Sequence, residues 1–397
     1  MRSIVQILLF SLVLTSTLCA IVQSVPDQNN SFQVPDKSTS VAGNDSNSTR
    51  AAINSSLMVN GRWERISDLP RQINSFAVDP VDPSIIYAGA GLQGSGSGVY
   101  KSEDAGLTWS LTSKGLPSVD VNSLVIDPLP PYRLYASLMV SGYTNIYSSS
   151  DGAQSWTLLS KTGIFGGLSE QLFSDPGNGD ALFLIAPPRG LFRSIDGGRN
   201  WLPVNEGLPQ NPDFENGAYV LSIAVDSNSS KTIYAGTGYI SGQGHGVFKS
   251  VDGGQTWAPA NKGMIDYRIS AMAIDPTNTQ IIYAGSDKGE LFKSSDGGQT
   301  WVDMSDRDLM DQYSSPEVKS ITLDPSDPKT VYVLANEAGF LVSYDAASSW
   351  LKLGRPESLD DYARFTASTV AFEPQPVLIL GVDPYVKNAG GWRFAAS

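Results

Sequence analysis

Three short segments of this chain bring an acidic residue close to a tyrosine, and these are the residues best able to do chemistry. The segments are Asp266-Tyr267-Arg268, Asp311-Gln312-Tyr313 and Asp361-Tyr362-Ala363-Arg364. Tyrosine rings offer apolar faces to sugars or to peptide side chains. Two carboxylates held about 5–9.5 Å apart can hydrolyse a glycosidic bond. The pattern therefore predicts either a ligand-binding surface or a pair of hydrolytic acids.

The two hypotheses use overlapping sets of residues. The predicted ligand-binding residues are Arg71, Tyr267, Arg268, Tyr313, Tyr362 and Arg364. The candidate catalytic acids, if the chain is a hydrolase, are Asp213, Asp266, Glu317 and Asp361. A third interpretation makes them all solvated loop residues, with arginine–aspartate pairs holding a rim together. The separation of the carboxylates, which a sequence does not contain, distinguishes these interpretations.

Metal and cofactor chemistry has little support in the sequence. His245 is the only histidine, and it lies in a glycine-rich loop with no cysteine nearby. A zinc site needs several such ligands together, and one histidine does not define a Ser–His–Asp arrangement. The acidic run 303–311 lacks the spaced ligands of an EF-hand loop. We therefore expect no cofactor and no metal site.

A repeated motif predicts the elements that must position these residues. Six copies of Ser-x-Asp-x-Gly-x-Thr-Trp, several of them degraded and here called Asp-motifs, begin at Ser102, Ser149, Ser194, Ser250, Ser294 and Ser343. Asp and Ser side chains hydrogen-bond to backbone groups of a tight turn, and Gly tolerates the positive φ that such a turn needs. Their spacing of 44 to 56 residues matches one four-stranded propeller blade.

A second signature completes each repeat. An apolar run ending in Asp-Pro precedes a second apolar run, most clearly at Phe76–Pro80 with Ile85–Gly89 and at Met272–Pro276 with Ile281–Gly285. A seventh copy at Val370–Pro374 has no good Asp-motif after it, although Gly391-Trp392 falls where one would end. Each unit therefore contains strand A, an Asp-Pro turn, strand B, a loop, strand C, the Asp-motif turn and strand D.

Seven such units predict an all-β, seven-bladed β-propeller. The segment Trp63–Ile66 has the pattern of a strand D without a blade before it. Placing it beside the C-terminal strands closes the ring and removes exposed sheet edges. If strand A lines the central channel, the D–A and B–C loops share one end of the ring, here called the mouth face. The candidate residues belong to loops of that face, where propellers usually carry function.

Composition limits the partners. The 397 residues carry a formal charge of −13 and contain no Lys/Arg cluster. Because phosphate-backbone binding needs a basic surface, nucleic acid is not expected as a partner.

The N-terminal region predicts export. Residues 4–22 form an apolar stretch after Arg2, which favours a signal peptide over residues 1–24. The alternatives are an uncleaved membrane anchor or a lipid anchor at Cys19, the only cysteine. Residues 25–56 are rich in Ser, Asn, Asp and Thr and predict a disordered linker, which leaves 57–397 as the propeller. The predicted location is secreted or extracytoplasmic, with membrane contact only through the N-terminal segment.

The Asp-motifs resemble the Asp-box, or BNR, repeats of the sialidase-like propeller superfamily, over about residues 60–394. That superfamily includes sialidases, xyloglucanase-like hydrolases, sortilin-type receptors and photosystem assembly factors. Its Asp-boxes lie opposite the functional face. The resemblance therefore implies a structural role for Asp104, Asp151, Asp196, Asp252, Asp296 and Asp345.

The relatives differ in features that can be looked for in this sequence. The Arg-Ile-Pro motif of sialidases and the cysteine-rich module of sortilin-type receptors are absent. Xyloglucanase-like enzymes usually join two seven-bladed propellers, whereas the photosystem factors have one. The general resemblance is to secreted BNR-like repeat proteins. We therefore expect an exported, non-catalytic propeller that binds a protein or a glycan through its mouth face; the alternative is a sialidase- or xyloglucanase-like glycoside hydrolase.

Overall fold

The computed structural model describes residues 61–91, 96–165, 170–211, 213, 217–238, 244–264, 267–360, 363–372 and 375–395. The predicted signal peptide and linker lie outside these residues. Among the described residues, no helix has the length and apolar character needed to cross a bilayer. The single described helix, α1, is the four-residue Arg307–Met310.

The described strands form seven four-stranded antiparallel sheets, one for each blade. Blades 1 to 3 contain β2 (Ile73–Val78), β3 (Ile86–Ala90), β4 (Gly98–Ser102), β5 (Ser110–Leu111); β6 (Val121–Ile126), β7 (Leu134–Val140), β8 (Tyr143–Ser149), β9 (Thr157–Phe165); and β10 (Gln171–Asp175), β11 (Asn178–Ile185), β12 (Leu191–Ser194), β13 (Leu202–Pro203). Blades 4 and 5 contain β14 (Val220–Val225), β15 (Ile233–Thr237), β16 (Gly246–Ser250), β17 (Ala258–Pro259); and β18 (Ile269–Ile274), β19 (Ile282–Ser286), β20 (Leu291–Ser294), β21 (Val302–Asp303). Blades 6 and 7 contain β22 (Val318–Asp324), β23 (Asp327–Ala335), β24 (Gly339–Ser343), β25 (Leu351–Gly354); and β26 (Phe365–Phe372), β27 (Pro376–Val382), β28 (Gly390–Ala395), with β1 (Arg62–Arg65).

Blade 7 is built from both ends of the chain. Strand β1 pairs antiparallel with β28, so that Trp63 lies opposite Phe394. The Trp63 ring lies 5.2 Å from that of Phe394 and 5.9 Å from that of Phe340 in blade 6. The predicted fold class, seven blades and closure by the terminal strands are thus confirmed. One detail was wrong: Trp392 does not end an Asp-motif but lies within strand C of blade 7, where it pairs with Arg65.

The hydrophobic core lies between neighbouring blades. One cluster, for example, joins Tyr332 and Phe340 of blade 6 to Phe365, Leu380 and Trp392 of blade 7. A four-stranded sheet alone would leave such side chains in water. Burial of apolar area stabilises a fold by about 25 cal/mol per Å², so each blade depends on its neighbours.

The six Asp-motifs share one hydrogen-bonding pattern. In the copy at Ser250, the Asp252 carboxylate accepts bonds from Thr256 Oγ1 at 2.6 Å, Thr256 N at 2.9 Å and Ser250 Oγ at 2.7 Å. Ser250 Oγ accepts a further bond from Gly254 N at 2.8 Å. In two degraded copies, Ala153 and Ala347 hold φ values of 70° and 71° at the position that is glycine elsewhere. The turn geometry therefore persists without the glycine, at a cost in backbone strain.

Each Asp-motif turn also contacts the preceding blade. Strand-C cations Arg193, Lys249, Lys293 and Arg393 donate to backbone carbonyls of the next blade's turn, at Gly253, Gly297, Ala346 and Ala105, over 2.8 to 3.0 Å. Trp156, Trp257, Trp301 and Trp350 donate in the opposite direction, to Thr112, Val204, Ala260 and Met304 of the preceding blade. The turns therefore join blades as well as reversing the chain.

The repeated Tyr-Ala-Gly of strand B also serves the contact between blades. Tyr234 OH donates to the Gly297 carbonyl of the next blade at 2.9 Å. Gly285 faces strand A of the next blade so closely that an added Cβ would lie 2.3 Å from Val318 Cγ1. Glycine is needed at this position because the neighbouring strand occupies the space of a side chain.

We expect Gly285→Ala to lower the free energy of unfolding by about 1–3 kcal/mol, the usual range for overpacking a core. Ser137 occupies the same motif position in blade 2, and its buried hydroxyl has no hydrogen-bond partner among the described residues. Ser137→Ala should therefore cost little and is the matched control. Urea unfolding of both variants measures the difference, and equal losses would contradict the role assigned to Gly285.

The Asp-motifs should make the fold sensitive to acid. Hydrogen bonds within the turns, from Thr256 to Asp252 for example, lower the pKa of Asp196, Asp252 and Asp296 from 3.8 to about 2. Because the folded pKa is the lower one, this stabilisation is complete above about pH 4 and is lost as the pH falls towards 2. The Tm should follow that course between pH 6 and 2. The fall of the Tm with pH should be shallower in the Asp252→Asn variant. An unchanged slope would show that the Asp252 hydrogen bonds do not cause the acid sensitivity.

Candidate functional site

A polar cavity of about 540 Å³ lies on the axis of the ring, and all seven A strands line it. In six of these strands, the second residue forms a β-bulge. The bulged residues are Asn74, Asn122, Leu221, Ser270, Lys319 and Thr366. All six line the cavity. A bulge re-aims a side chain and interrupts pairing, so the bulges set the lining near the mouth face.

Hydrogen bonds from the lining residues tie neighbouring A strands together. Asn74 Nδ2 donates to the Val121 carbonyl at 2.9 Å, and Ser270 Oγ donates to the Val318 carbonyl at 2.7 Å. Thr366 Oγ1 donates to the Ile73 carbonyl, which joins blade 7 to blade 1. These side chains are thus used by the scaffold, and the charged lining residues are better placed to meet a ligand.

The charged lining residues cluster on blades 5 and 6. Arg268 Nη1 lies 3.4 Å from Asp287 Oδ2, and Lys319 Nζ lies 3.3 Å from Glu317 Oε1. Glu317 Oε2 also accepts a bond from Asn336 Nδ2 at 3.2 Å. Burial raises the pKa of Asp287, although the Arg268 charge opposes the shift. This partly buried cluster of two positive and two negative side chains can recognise polar groups of a ligand.

Glu170 is a third acid of the cavity, contributed by blade 3. It is buried and accepts hydrogen bonds from Thr144 Oγ1 and, at 3.5 Å, from Asn122 Nδ2. Sequence reasoning missed Glu170 and Asp287. Glu170 directly precedes strand A, as Arg268 and Glu317 do, and that shared register would have found it. Asp287 follows strand B, and only the folded ring brings it to Arg268.

The structure brings together some of the predicted site residues. Arg268 and Glu317 both line the cavity. Tyr313 lines an adjoining recess of about 300 Å³, which shares Asp287 with the cavity. Lys352 Nζ donates to Tyr313 OH and lies 5.0 Å from the centre of its ring. Tyr313 therefore extends the site outward from the channel.

Other predicted residues lie apart from the cavity. Tyr267 is half-buried, with its ring 5.0 Å from that of Phe292. Arg71 and Arg364 are exposed and bond to the B–C loop of blade 7, Arg71 through its side chain and Arg364 through its carbonyl. Asp213 is exposed on the loop between β13 and β14 and does not line the cavity. Asp266, Asp361 and Tyr362, which were also predicted for the site, lie outside the described residues.

The six Asp-motif aspartates lie at the C–D turns, the opposite end of each sheet from the D–A and B–C loops. Their carboxylates accept hydrogen bonds within their own turns, as at Asp252. Among the described residues, no group of three or more His, Cys, Asp or Glu side chains is placed to hold a metal ion.

No family model matches the chain. Curated proteins similar in sequence include the following three. Xyloglucanase Xgh74A of Acetivibrio thermocellus is 26% identical over 44% of this chain and 24% of its own length. A xyloglucanase of a Paenibacillus species is 30% identical over 34% and 16%. A probable oligoxyloglucan-reducing end-specific xyloglucanase of Neosartorya fischeri is 28% identical over 35% and 18%. The chain spans about a quarter or less of these relatives.

Solved structures share the fold at low sequence identity. YCF48 bound to D1 peptide aligns with a TM-score of 0.59 and 14% identity, over 85% of this chain and 97% of that one. YCF48 from Cyanidioschyzon merolae aligns at 0.57 and 13%, over 84% and 99%. The Niastella koreensis GH74 enzyme aligns at 0.57 and 19%, over 78% and 50%. The chain is thus a seven-bladed propeller similar in fold to YCF48 and to this GH74 enzyme.

We expect Arg268→Met to destabilise the fold through Asp287. Without the guanidinium, the Asp287 carboxylate loses its partner and its pKa should rise further. The loss should reach about 1–2 kcal/mol at pH 7.5, below that of a fully buried pair because both side chains are partly exposed. It should shrink near pH 4.5, because protonation of Asp287 then favours the folded state.

The double variant Arg268→Met/Asp287→Asn is the control, since it removes the unpaired charge and should recover much of the loss. Urea unfolding at both pH values measures these effects. A loss in Arg268→Met that does not depend on pH would show that Arg268 acts by packing alone.

Proposed function

We propose that this protein is a non-catalytic propeller that binds a protein or a glycan at its mouth face, around the central cavity. The observation that carries the proposal is the pairing of the cavity acids. Among the described residues, Asp287 lies against Arg268, Glu317 against Lys319 and Asn336, and Glu170 against Thr144 and Asn122. A hydrolase needs one carboxyl group poised to donate a proton and a second free to act on the sugar or on water.

The cavity and its surroundings suit binding. The lining mixes hydroxyl, amide and charged groups, and the recess at Tyr313 continues from it. In a concave site, a few precisely positioned polar groups are enough to fix the orientation of a ligand. The solved YCF48 structure with a bound peptide supports a peptide ligand, and the similarity to xyloglucanases supports a glycan.

A second function, glycoside hydrolysis, is favoured by two observations. The curated proteins similar in sequence are named xyloglucanases. In addition, burial raises the pKa of Asp287, and the nearby charge of Glu317 adds to the shift. A raised pKa is the property of a general acid. In this alternative, Asp287 would donate the proton and Glu317 would be the second carboxylate.

The wider setting is part of the proposal. The formal charge of −13 argues against a nucleic-acid partner. The apolar segment at residues 4–22 supports a secreted or extracytoplasmic location, with membrane contact limited to that N-terminal segment.

Incubation of the purified protein with xyloglucan, mixed-linkage β-glucan and sialosides tests whether it is catalytic. We expect no release of reducing sugar above a heat-denatured blank, because the described cavity acids are paired. Release that disappears in Glu317→Gln and in Asp287→Asn would establish the hydrolase instead. Glu103→Gln, an exposed acid of the opposite face, is the matched control and should leave any release unchanged.

A further inference from the structure

Among the described residues, three aromatic rings on blades 2 and 7 are exposed at the mouth face. Tyr143 is 49% exposed, Phe165 is 55% exposed and Tyr385 is 90% exposed. Tyr143 begins β8 and Phe165 ends β9, while Tyr385 lies in the B–C loop of blade 7. All three positions are at the end of the sheets opposite the Asp-motif turns. Adjoining exposed rings, such as those of Tyr143 and Phe165, are more typical of a contact surface than a single exposed side chain is.

Tyr143 and Phe165 form a pair at the tip of blade 2. They are direct cross-strand neighbours, with ring centroids 6.0 Å apart and planes at 87°. Ser141 and Gly142, which connect β7 to β8, both have positive φ, 53° and 83°, as a tight hairpin requires. Strand β9 has nine residues, whereas strand D of the other blades has two to four. Blade 2 is therefore extended at the mouth face, and the pair marks its end.

The scaffold beneath the pair is fixed. Ile164, beside Phe165, is buried in the cluster that joins blades 2 and 3. Thr162 Oγ1 donates to the Thr144 carbonyl at 2.7 Å and accepts a bond from Ile164 N at 3.0 Å. The strand end is thus anchored while the Phe165 ring faces solvent. A ring held in this way loses little conformational entropy on binding.

Tyr385 is presented by a loop that is held from three directions. Arg71 Nη2 donates to the Pro384 carbonyl at 2.9 Å and to the Val386 carbonyl at 3.4 Å, on either side of the tyrosine. Arg65 also donates to the loop, and the loop donates to the Ser358 carbonyl and to the Asp360 carboxylate. Arg71, predicted to bind ligand, therefore has the geometry of a positioning residue for Tyr385.

Blade 1 lies between the two aromatic positions. Hydrogen bonds from Thr366 to Ile73 and from Asn74 to Val121 join it to blades 7 and 2. The charged cluster of Arg268, Asp287, Glu317 and Lys319 belongs to blades 5 and 6 instead. The mouth face thus has an aromatic part and a charged part.

The surroundings of the rings indicate the ligand. A protein interface usually buries a contiguous apolar core, but the Tyr143–Phe165 pair and Tyr385 lie on different blades, among polar residues such as Ser141, Lys161 and Lys387. A pyranose ring has one apolar C–H face, suited to an aromatic ring face, and hydroxyl edges that need polar neighbours. Among the described residues beside Tyr385, Arg71 and Asp383 carry opposite charges, which does not favour a charged polymer.

We propose that Tyr143, Phe165 and Tyr385 form an aromatic platform that binds a neutral polysaccharide laid across blade 1. This inference rests on the proposed binding function and selects a glycan as the ligand. Stacking on the rings supplies the affinity, and Arg71 contributes indirectly by holding Tyr385 in place.

Affinity electrophoresis of the full chain in native gels containing xyloglucan or mixed-linkage β-glucan tests the platform. We expect the wild-type protein to be retarded by at least one of the two. Tyr385→Ala and Tyr143→Ala/Phe165→Ala should each weaken binding about tenfold, as loss of an aromatic anchor does, with an unchanged Tm. Tyr385→Phe should keep most of the affinity. Tyr132→Ala, which removes a 56% exposed tyrosine from the opposite face, is the matched control.

Arg71→Ala tests the positioning role. It should weaken binding as Tyr385→Ala does, and the double variant should show no further loss, because both changes remove the same ring from the ligand. An additive loss would show that Arg71 contacts the ligand itself.

Two results would overturn the inference. If the wild-type protein is retarded and the aromatic variants bind equally well while Arg268→Met weakens binding, the proposed function stands and the platform is wrong. If neither polysaccharide retards the wild-type protein, a neutral glycan is the wrong ligand, and binding to peptide arrays decides whether the proposed function survives.

Discussion

The packing of strand A against strand B of the preceding blade is the contact on which the rest of this structure depends. No single blade can bury both faces of its sheet, so each blade must approach its neighbour closely at the axis. Gly285 provides that space for Val318, and the bulges of the A strands adjust the register at the same level. The cavity lining, the hydrogen bonds between blades and the closure by β1 all follow from this approach.

The Asp-motif turns serve the same contact at the other end of the sheets. A turn held by its own Ser and Asp presents backbone carbonyls in a fixed position, where Lys249 or Arg193 of the preceding blade can reach them. The shape of the turn does not depend on the glycine, since Ala347 adopts the positive φ that glycine has in other copies. The Asp-motif end of the ring thus joins the blades through repeated turns, whereas the mouth face carries loops that differ from blade to blade.

The sequence predicted the features that repeat. Six Asp-motifs, seven copies of the strand A–strand B signature and the unpaired strand at Trp63 were sufficient for blade number and closure, because each is a local pattern. Arg268 was also found, since it directly precedes an A strand, and Glu317 was found as an acid of the D–A loops. Asp287 and the exposed rings of Tyr143, Phe165 and Tyr385 were not found, because each occurs once, in a loop or at a strand end. Which of these side chains lie close together depends on which blades are neighbours and on how far strand β9 extends.

The missing seventh Asp-motif has a simple cause, and it determines where the chain enters and leaves the ring. Where the other blades have a C–D turn, blade 7 has the ends of β28 and β1, and Arg62 lies opposite Ala395. The chain therefore enters and leaves the ring side by side, on the far side from the mouth. Both terminal strands therefore cross the ring boundary on the face opposite the mouth, next to the Asp-motif turns. Closure of the ring thus uses none of the loops of the mouth face.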